Sequence, residues 1–321
     1  METMRDIQIR MKSIDSTRQI TESMRLISNR KVQKIKKRME DNRPYLSQSA
    51  AIVGNILANP QLSPDIKNHA YMTGRANKKE DGAEEKSKNP VIIVITGDRG
   101  LCGGYNSNVE KEASLLIKKL GDADIIAVGT KGRDYFRRRQ RNIAKSYKGL
   151  SESPYYEDAQ DIANTAIKMF DDGETDEVYL VYTEYKTMLV QTPRAVRLLP
   201  LDADGIAAIG SAGVKNTEVN DKKEEKPDKE PKIKAGENYD TEEIKFFEYA
   251  ATTYMTASVF GSMLGSAVSE QCARMTGMDS AVKNSKKILD SLTLQYNQIR
   301  QSTITQEIAE IVGGANAVGE E

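Results

Sequence analysis

Apolar side chains recur every seven residues in the last part of the chain. Spacings of three and four place such side chains in one stripe on a helix, and a sustained seven-residue period predicts that the stripe packs against a second helix. No proline follows Pro231, so nothing there must interrupt a helix. We therefore predict one long helix over 239–321 that projects from the rest of the molecule. The two positions of the repeat are Met275, Val282, Leu289, Tyr296 and Thr303, and Met278, Ser285, Leu292, Ile299 and Gln306.

Segment 1–60 carries a second pattern of this kind. No proline precedes Pro44, and apolar residues recur at spacings of mostly three to five. This predicts a helix from about Met4 to Leu57, kinked at Pro44. One amphipathic helix is equally typical of a helix packed on a globular core, but one at each end of the chain favours a terminal antiparallel coiled coil. The apolar residues are Met4, Ile7, Met11, Ile14, Met24, Ile27, Val32, Ile35 and Met39.

The middle of the chain, 90–202, has the pattern of an α/β domain. The run from Val91 to Thr96 is apolar and β-branched, which is typical of a strand buried on both faces. Strands alternating with helices predict a mostly parallel sheet. The further predicted elements are a helix from about Ser107 to Leu120, strand Ile125–Val128, a helix carrying Tyr135 and Phe136, a helix near Asp158–Phe170, strand Val178–Tyr182 and a partly exposed strand around Val190–Leu199.

A glycine-rich loop, Gly97 to Gly104, follows the first strand and raises the question of a nucleotide site. A strand, a glycine-rich loop and a helix can cradle a phosphate at the helix N-terminus. The loop fits neither the dinucleotide spacing nor a Walker loop, and Asp98 would place negative charge where the phosphate would lie. A tight turn is the better interpretation. We predict no catalytic residue, no cofactor and no metal site here or at His69, the single histidine, or at Cys102.

Two segments, 61–89 and 203–238, are rich in lysine and acidic residues. Too few apolar side chains are present to offset the entropy of ordering, so we predict a charged linker and a disordered insertion. Neither segment contains a cysteine, which excludes a thiol switch within them.

Composition narrows the class of protein. The 321 residues have a formal net charge of zero, contain no Trp and are 6% aromatic, which fits long solvated helices better than a large globular core. No apolar run approaches the ~20 residues that span a bilayer, so we expect membrane association only through partners. The cations from Arg30 to Arg43 indicate either a solvated helix face or a surface for an acidic partner. Nucleic-acid binding is less favoured, because no aromatic residues alternate with them.

Three separated motifs resemble one family. The run YNQIRQSTITQE (Tyr296–Glu307), with SEQCARM (Ser269–Met275) before it, looks like the C-terminal motif of the gamma subunit of F-type ATP synthases. QITESM (Gln19–Met24) is similar to the N-terminal motif, and DRGLCGGYN (Asp98–Asn106) is similar to the central loop. The resemblance covers the chain apart from the two charged segments. Gln8 stands where the family commonly has arginine.

The resemblance implies a non-catalytic rotor subunit on the cytoplasmic face of the bacterial membrane. The terminal helices would form a shaft inside a ring of alpha and beta subunits, and the Rossmann-like central domain would form a foot with epsilon on the c-ring. No nucleic acid would be bound. Ile308 to Val318 would lie in an apolar bearing made by the ring. The residues that match ring-contact positions of the family are Met24, Arg274, Arg300, Gln301 and Thr305.

Two other classes of protein are also considered. One is a nucleotide-binding enzyme built on 90–202, which ATP binding by that domain would support. The other is a coiled-coil adaptor, which strongly salt-dependent DNA affinity would support. Neither alternative accounts for three motifs in the order of one family.

Overall fold

The computed structural model describes residues 3–59, 62–74, 89–210 and 243–318. The chain divides into two compact units. We call the first the end pair; it consists of Met1–Asn29 and Arg274–Glu321. We call the second the body; it consists of Arg30–Ala273.

Two long helices at the chain ends confirm the prediction from the hydrophobic pattern. α1 spans Met4–Ala58 and α8 spans Glu243–Val318. Pro44 lies inside α1, which continues through it as one helix. The absence of proline after Pro231 is matched by an uninterrupted α8.

Within the end pair, α1 and α8 run antiparallel. The amide of Gln8 donates to the hydroxyl of Tyr296 at 3.0 Å. Further along α1, Arg25 lies close enough to Asp279 to lower the pKa of that carboxyl, after the larger effect of the bond from Lys283. Residue numbers therefore increase along α1 from Gln8 to Arg25, while those of their contacts on α8 decrease from Tyr296 to Asp279.

The seam between these helices follows the predicted repeat on α8. Both predicted positions are buried or half-buried from Met275 to Thr303, whereas Gln306 is exposed. On α1 one part of the prediction is wrong. Met24 and Ile27 are 40% and 55% exposed. The inward positions of α1 in the end pair repeat every seven residues and are Met4, Ile7, Met11, Ile14, Arg18, Thr21, Arg25 and Ser28.

The body contains a five-stranded sheet with the strand order β3-β2-β1-β4-β5. β4 and β5 pair antiparallel, and the other pairs are parallel. This confirms the predicted mostly parallel α/β sheet. The strands are β1 Pro90–Ile95, β2 Asp124–Val128, β3 Ile143–Tyr147, β4 Glu177–Tyr185 and β5 Gln191–Leu199. The prediction omitted β3, since this edge strand exposes its three central residues and has no apolar run.

Helices cover both faces of the sheet. α4 (Tyr105–Leu120) and α5 (Thr130–Arg138) pack on one face around Ile92, Ile125 and Phe136. α6 (Tyr156–Asp171) packs on the other face, where the body parts of α1 and α8 join the same hydrophobic core. Parallel strands need both faces covered, which explains the continuous apolar runs of β1 and β2.

Parts of the two predicted charged segments are ordered. α2 (Pro64–Lys67) and α3 (Ala70–Thr73) bury Ile66 and Tyr71 in the body core. α7 (Ala203–Gly210) buries Ile206 and Ile209 in that core as well. The boundaries predicted at 61 and 203 therefore differ from the structure, because a few apolar residues at regular spacing suffice to anchor short helices. Residues 75–88 and 211–242 of those segments lie outside the described residues.

Candidate partner-binding surface

The glycine-rich loop after β1 is closed by its own carboxylate. Asp98 Oδ1 accepts hydrogen bonds from the backbone N of Thr130 at 3.0 Å and its hydroxyl at 2.9 Å. Asp98 Oδ2 accepts from the backbone N of Gly149 at 3.0 Å and the hydroxyl of Ser151 at 3.0 Å. One side chain thus joins the loops that follow β1, β2 and β3.

The charge of Asp98 belongs to this network. Burial raises the pKa of Asp98, but the bonds from Gly149, Thr130 and Ser151 outweigh burial and hold the pKa below its usual value. The carboxylate lies at the N-terminus of α5, not at that of α4, the helix that the glycine-rich loop precedes. Its negative charge within the loop disfavours a phosphate there. The nucleotide-binding alternative is therefore not favoured.

Gly129 allows the same three loops to approach closely. Its φ of +96° lies in the region that favours glycine, and a Cβ there would overlap the carbonyl of Thr96. Thr96 also accepts a hydrogen bond from the backbone N of Gly132 at 2.9 Å. The edge of the sheet is packed tightly, as the tight-turn interpretation requires.

His69 has a structural position. Its Nδ1 accepts a hydrogen bond from the backbone N of Tyr71 at 3.2 Å, which caps α3. Its Nε2 therefore carries the proton and donates to Glu248 Oε1 at 3.2 Å. Among the described residues, no group of three or more His, Cys, Asp and Glu side chains is arranged to hold a metal ion.

The end pair carries an outward apolar stripe on α1. Ile20, Met24 and Ile27 are 59%, 40% and 55% exposed. Their spacing of four and three places them on one face of the helix. Met24, which matches a contact position, thus lies within an apolar surface that the unit itself leaves uncovered. Isolated exposed apolar residues are common, but a continuous stripe indicates a binding surface.

The inward positions behind this stripe are polar. Arg25 pairs with Glu22 at 2.6 Å, and Arg18 pairs with Asp15 at 2.8 Å, both within one turn of α1. Surface ion pairs of this kind stabilise little. The sequence prediction grouped Met24 and Ile27 with the inward apolar residues of α1. The seven-residue spacing that starts at Met4 and Ile7 leads instead to Arg18 and Thr21 as inward positions.

The last turns of α8 form a second exposed apolar surface. By the pairing of Gln8 with Tyr296, Arg300 lies opposite Met4, the first residue of α1. All side chains from Ile304 to Gly313 are exposed. The large apolar ones are Ile304, Ile308, Ile311 and Val312. Their spacing again corresponds to one helix face.

The remaining predicted contact residues differ in exposure. Arg300, Gln301 and Thr305 are exposed on α8, and the Thr305 hydroxyl donates to the carbonyl of Gln301 at 2.9 Å. Arg274, in contrast, is 9% exposed. The structure therefore brings Arg300, Gln301 and Thr305 to the same stretch as the apolar end, and Arg274 lies apart from it along α8.

The fold defines a class of protein in which two long terminal helices flank an α/β domain in the sequence. Two solved structures with this fold come from ATP synthase rotor and central-stalk assemblies. The chain matches the rotor of Euglena gracilis mitochondrial ATP synthase with a TM-score of 0.58 and 16% identity over 94% of this chain and 98% of that one. It matches the central stalk and c-ring structure from Tetrahymena thermophila with a TM-score of 0.55 and 21% identity over 82% and 99%. Identities this low show the fold.

Relatives in sequence identify the family. The sodium-ion-specific ATP synthase gamma chain of Acetobacterium woodii is 39% identical over 318 residues, 99% of each chain. The ATP synthase gamma chain of Alkaliphilus metalliredigens is 36% identical over 315 residues, 98% of each chain. A family model described as ATP synthase matches residues 3–318. The chain belongs to the ATP synthase gamma-chain family.

Proposed function

We propose that this chain is the rotor subunit of the central stalk, which transmits torque between ion flow through a membrane c-ring and ATP synthesis or hydrolysis in the alpha/beta ring. The observation that carries this proposal is the apolar surface of the end pair, on Ile20, Met24 and Ile27 of α1 and on the end of α8. Two helices with apolar side chains on their outer faces need a surrounding partner to cover them.

The two faces of the end pair are chemically different, and this difference supports torque transmission. The apolar stripe lies on α1, whereas α8 exposes the polar residues Ser280, Lys283 and Asn284 at the same level of the end pair. A partner ring would meet a different surface at each angle of rotation. A partner shifts a conformational equilibrium only through differential affinity for the two states. An asymmetric shaft supplies that difference to each ring subunit in turn.

The contact residues then have separate roles. Met24 offers a flexible apolar side chain that slides past a partner without a directional bond. Arg300 and Gln301 offer donors to acidic or carbonyl groups of the beta subunits, with Thr305 one turn further along. Arg274 would act where α8 enters the end pair. Ile308 and Ile311 would turn within an apolar bearing.

The chain itself is proposed to be non-catalytic, with no cofactor and no metal. The catalytic groups would belong to the alpha and beta subunits. The body would contact epsilon and the c-ring on the cytoplasmic face of a bacterial membrane, with no nucleic acid involved. Among the helices of the described ranges, none combines the length and the hydropathy of a membrane span. Those partners would bring the chain to the membrane surface.

Co-purification tests the proposal directly. The tagged chain is isolated from gently solubilised membranes of its own host, and the associated proteins and ATPase activity are measured. We expect alpha, beta, epsilon and c subunits in an active complex. Recovery of the chain alone, or with nucleic acid and no ATPase subunits, would refute the rotor function.

A pair of variants connects the result to the end of α8. I308D/I311D places two charges on the apolar face, so we expect intact folding of the free chain but loss of ion-coupled ATP synthesis. Q306D adds a charge to an exposed polar position of the same helical turns and serves as the control. Equal loss of coupling in both variants would contradict an apolar bearing.

A further inference from the structure

Six cations lie at one edge of the body, at the end of the sheet opposite the loop of Asp98. We call this set the basic edge. All six side chains are exposed. The residues of the basic edge are Lys118, Lys119, Arg137, Arg138, Arg139 and Arg141.

The topology of the sheet brings these residues together. α4 ends at Leu120, just before β2 begins at Asp124, and α5 ends at Arg138, just before β3 begins at Ile143. β2 and β3 are parallel neighbours, so their starting ends lie at the same edge of the sheet. The last turns of both helices therefore present their cations side by side.

Direct ion pairs neutralise little of this charge, although Arg137 and Arg138 lie close enough to Asp134 to lower the pKa of that carboxyl, after the larger effect of the bond from Arg133. Within the described part of the chain, Lys118, Lys119, Arg137 and Arg138 make no hydrogen bond and no ion pair. Arg141 pairs with Asp122 at 3.0 Å. The formal charge of the whole chain is zero, so this concentration of cations is a local property of one edge.

A structural role accounts for only part of the cluster. A cation in the last turn of a helix interacts favourably with the helix dipole. That effect is limited to the final turn and would be satisfied by one or two residues in each helix. Arg139 is the C-cap residue of α5 and covers the ring of Tyr135 in that helix, whereas Arg141 lies beyond the end of α5 and extends the charged surface.

The charge at this edge of the sheet changes from basic to acidic towards β4. Asp172 and Glu174, which follow α6 on the other face of the sheet, are exposed. The basic surface is therefore confined to the side of the sheet that α4 and α5 cover. A partner that prefers cations would bind this side and avoid the other, which fixes its orientation.

The chemistry of the basic edge favours phosphate groups at a surface. Arginine forms two parallel hydrogen bonds to a phosphate, and three of the six residues are consecutive arginines. A single-stranded nucleic acid would need free aromatic rings for its bases. Tyr135, the nearest candidate, is covered by the Arg139 guanidinium at 3.6 Å from the ring centroid. Phe136 is buried.

A protein partner is also less suited to this edge. Stable protein interfaces are centred on buried apolar or aromatic anchors. Leu115 is the one large apolar side chain of α4 and α5 that is exposed in the described residues, and it lies at the margin of the cluster. A diffuse layer of anionic headgroups needs no such anchor, because each cation contributes independently.

We propose that the basic edge binds the phosphate headgroups of anionic phospholipids at the membrane surface beside the rotor foot. The proposal rests on the proposed function, since that function brings the body to a membrane. Unpaired lysine and arginine side chains on one edge would hold the body against the headgroup layer in one orientation. The contact would be weakened by salt, which shortens the Debye length below about 10 Å above 0.1 M.

Vesicle sedimentation with the full chain tests this proposal. We expect binding to vesicles of phosphatidylglycerol and phosphatidylcholine, none to phosphatidylcholine alone, and loss of binding as salt is raised. K118Q/R137Q/R138Q removes three cations that make no hydrogen bond or ion pair within the described residues, and it should lower the partition coefficient about 100-fold. Circular dichroism should show unchanged helix content.

A matched control variant distinguishes a specific effect of the basic edge from a general effect of net charge. K34Q/K37Q/R43Q removes three exposed cations of α1 and should change vesicle binding by less than about threefold. Equal loss in both variants, or no loss in the first, would overturn the proposal. So would duplex DNA binding that equals vesicle binding in strength and is lost in the same variant.

The two proposals can fail separately. If the wild-type chain co-purifies with ATPase subunits but does not bind anionic vesicles, the lipid contact is refuted and the rotor function stands. If it binds vesicles but never associates with ATPase subunits, the rotor function is refuted while the basic edge remains a lipid-binding surface.

Discussion

The end pair and the body use the same two helices in opposite ways. In the body, α8 buries Phe247, Tyr254 and Met255 almost completely, because the sheet and α6 add further layers around it. In the end pair, α8 meets one other helix, and its best-buried seam residues are Met278, Val282 and Leu292. Two helices cannot cover each other on all sides. The apolar residues left outside are therefore available to partners.

This comparison predicts that stability lies in the core of the body and that the outer faces of the end pair contribute to binding instead of stability. Substitutions in the core of the body should lower the free energy of unfolding strongly and act on partners only through folding. Substitutions on the outer faces of the end pair should have the reverse effect. The expected changes in unfolding free energy decrease from the core of the body to the end of α8.

The largest effect is expected for Phe170→Ala. Phe170 is fully buried between α6 and the sheet, so its removal leaves a cavity and should cost about 3–5 kcal/mol. Amide hydrogen exchange of β1 measures this loss. A cost below about 1 kcal/mol would show that the body is not the stable unit.

Asp98→Asn should have the next largest effect. The amide cannot accept all the donors of Thr130, Gly149 and Ser151, and leaving charged-group hydrogen bonds unmade should cost about 2–3 kcal/mol near neutral pH. Thermal unfolding of the wild type and the variant measures the difference.

The stabilisation that Asp98 provides should depend on pH, which a comparison of the wild type with Asp98→Asn measures. The pKa of Asp98 is lowered in the folded state, where bonds from Gly149, Thr130 and Ser151 outweigh the effect of burial. Its stabilisation is therefore complete above the unfolded pKa of about 3.9 and is lost as pH falls through the folded value. The two proteins should converge in stability on the acid side of that range. A constant difference down to low pH would contradict an ionised Asp98.

Leu292→Ala tests the seam of the end pair. Leu292 is 4% exposed, but only one neighbouring helix packs around it, so the cost should lie near the low end for such changes, about 2 kcal/mol. Hydrogen exchange should accelerate in 274–300 and leave β1 unchanged. Faster exchange throughout the body would show that the two units unfold together.

Ile311→Ser should have the smallest effect on the free chain. Ile311 is 71% exposed, so the free energy of unfolding should change by less than about 0.5 kcal/mol. Binding to the partner ring should nevertheless weaken, which co-purification yield measures. A large loss of stability would show that this end of α8 is already buried within the free chain.

The success of the sequence prediction depended on how each element is buried. The seam of α8 was predicted from Met275 to Thr303 because a helix packed on one neighbour must confine its apolar residues to one stripe. The body part of α8 shows no such stripe, since the consecutive residues Tyr254–Val259 are all buried and therefore face every side of the helix. β3 was missed because it lies at the sheet edge and exposes Ala144, Lys145 and Ser146.

The candidate surfaces were also predicted only in part from the sequence. Family motifs indicated Met24 and the end of α8, but not that Ile20 and Ile27 flank Met24 on an outward face. That assignment needed the register of α1 against α8. The basic edge was not recognised either, because Lys118 and Arg138 are joined only by the arrangement of β2 and β3.

By itself, the sequence determined the two long helices, the α/β domain between them and the family, because each depends on local periodicity or on contiguous motifs. Only the tertiary structure decided which side of α1 faces its partner, where Asp98 finds its donors and which cations share an edge. Those features depend on residues far apart in the chain, such as Asp98 with Thr130 and Ser151. Their proximity is created by strand order and helix register, which no local pattern encodes.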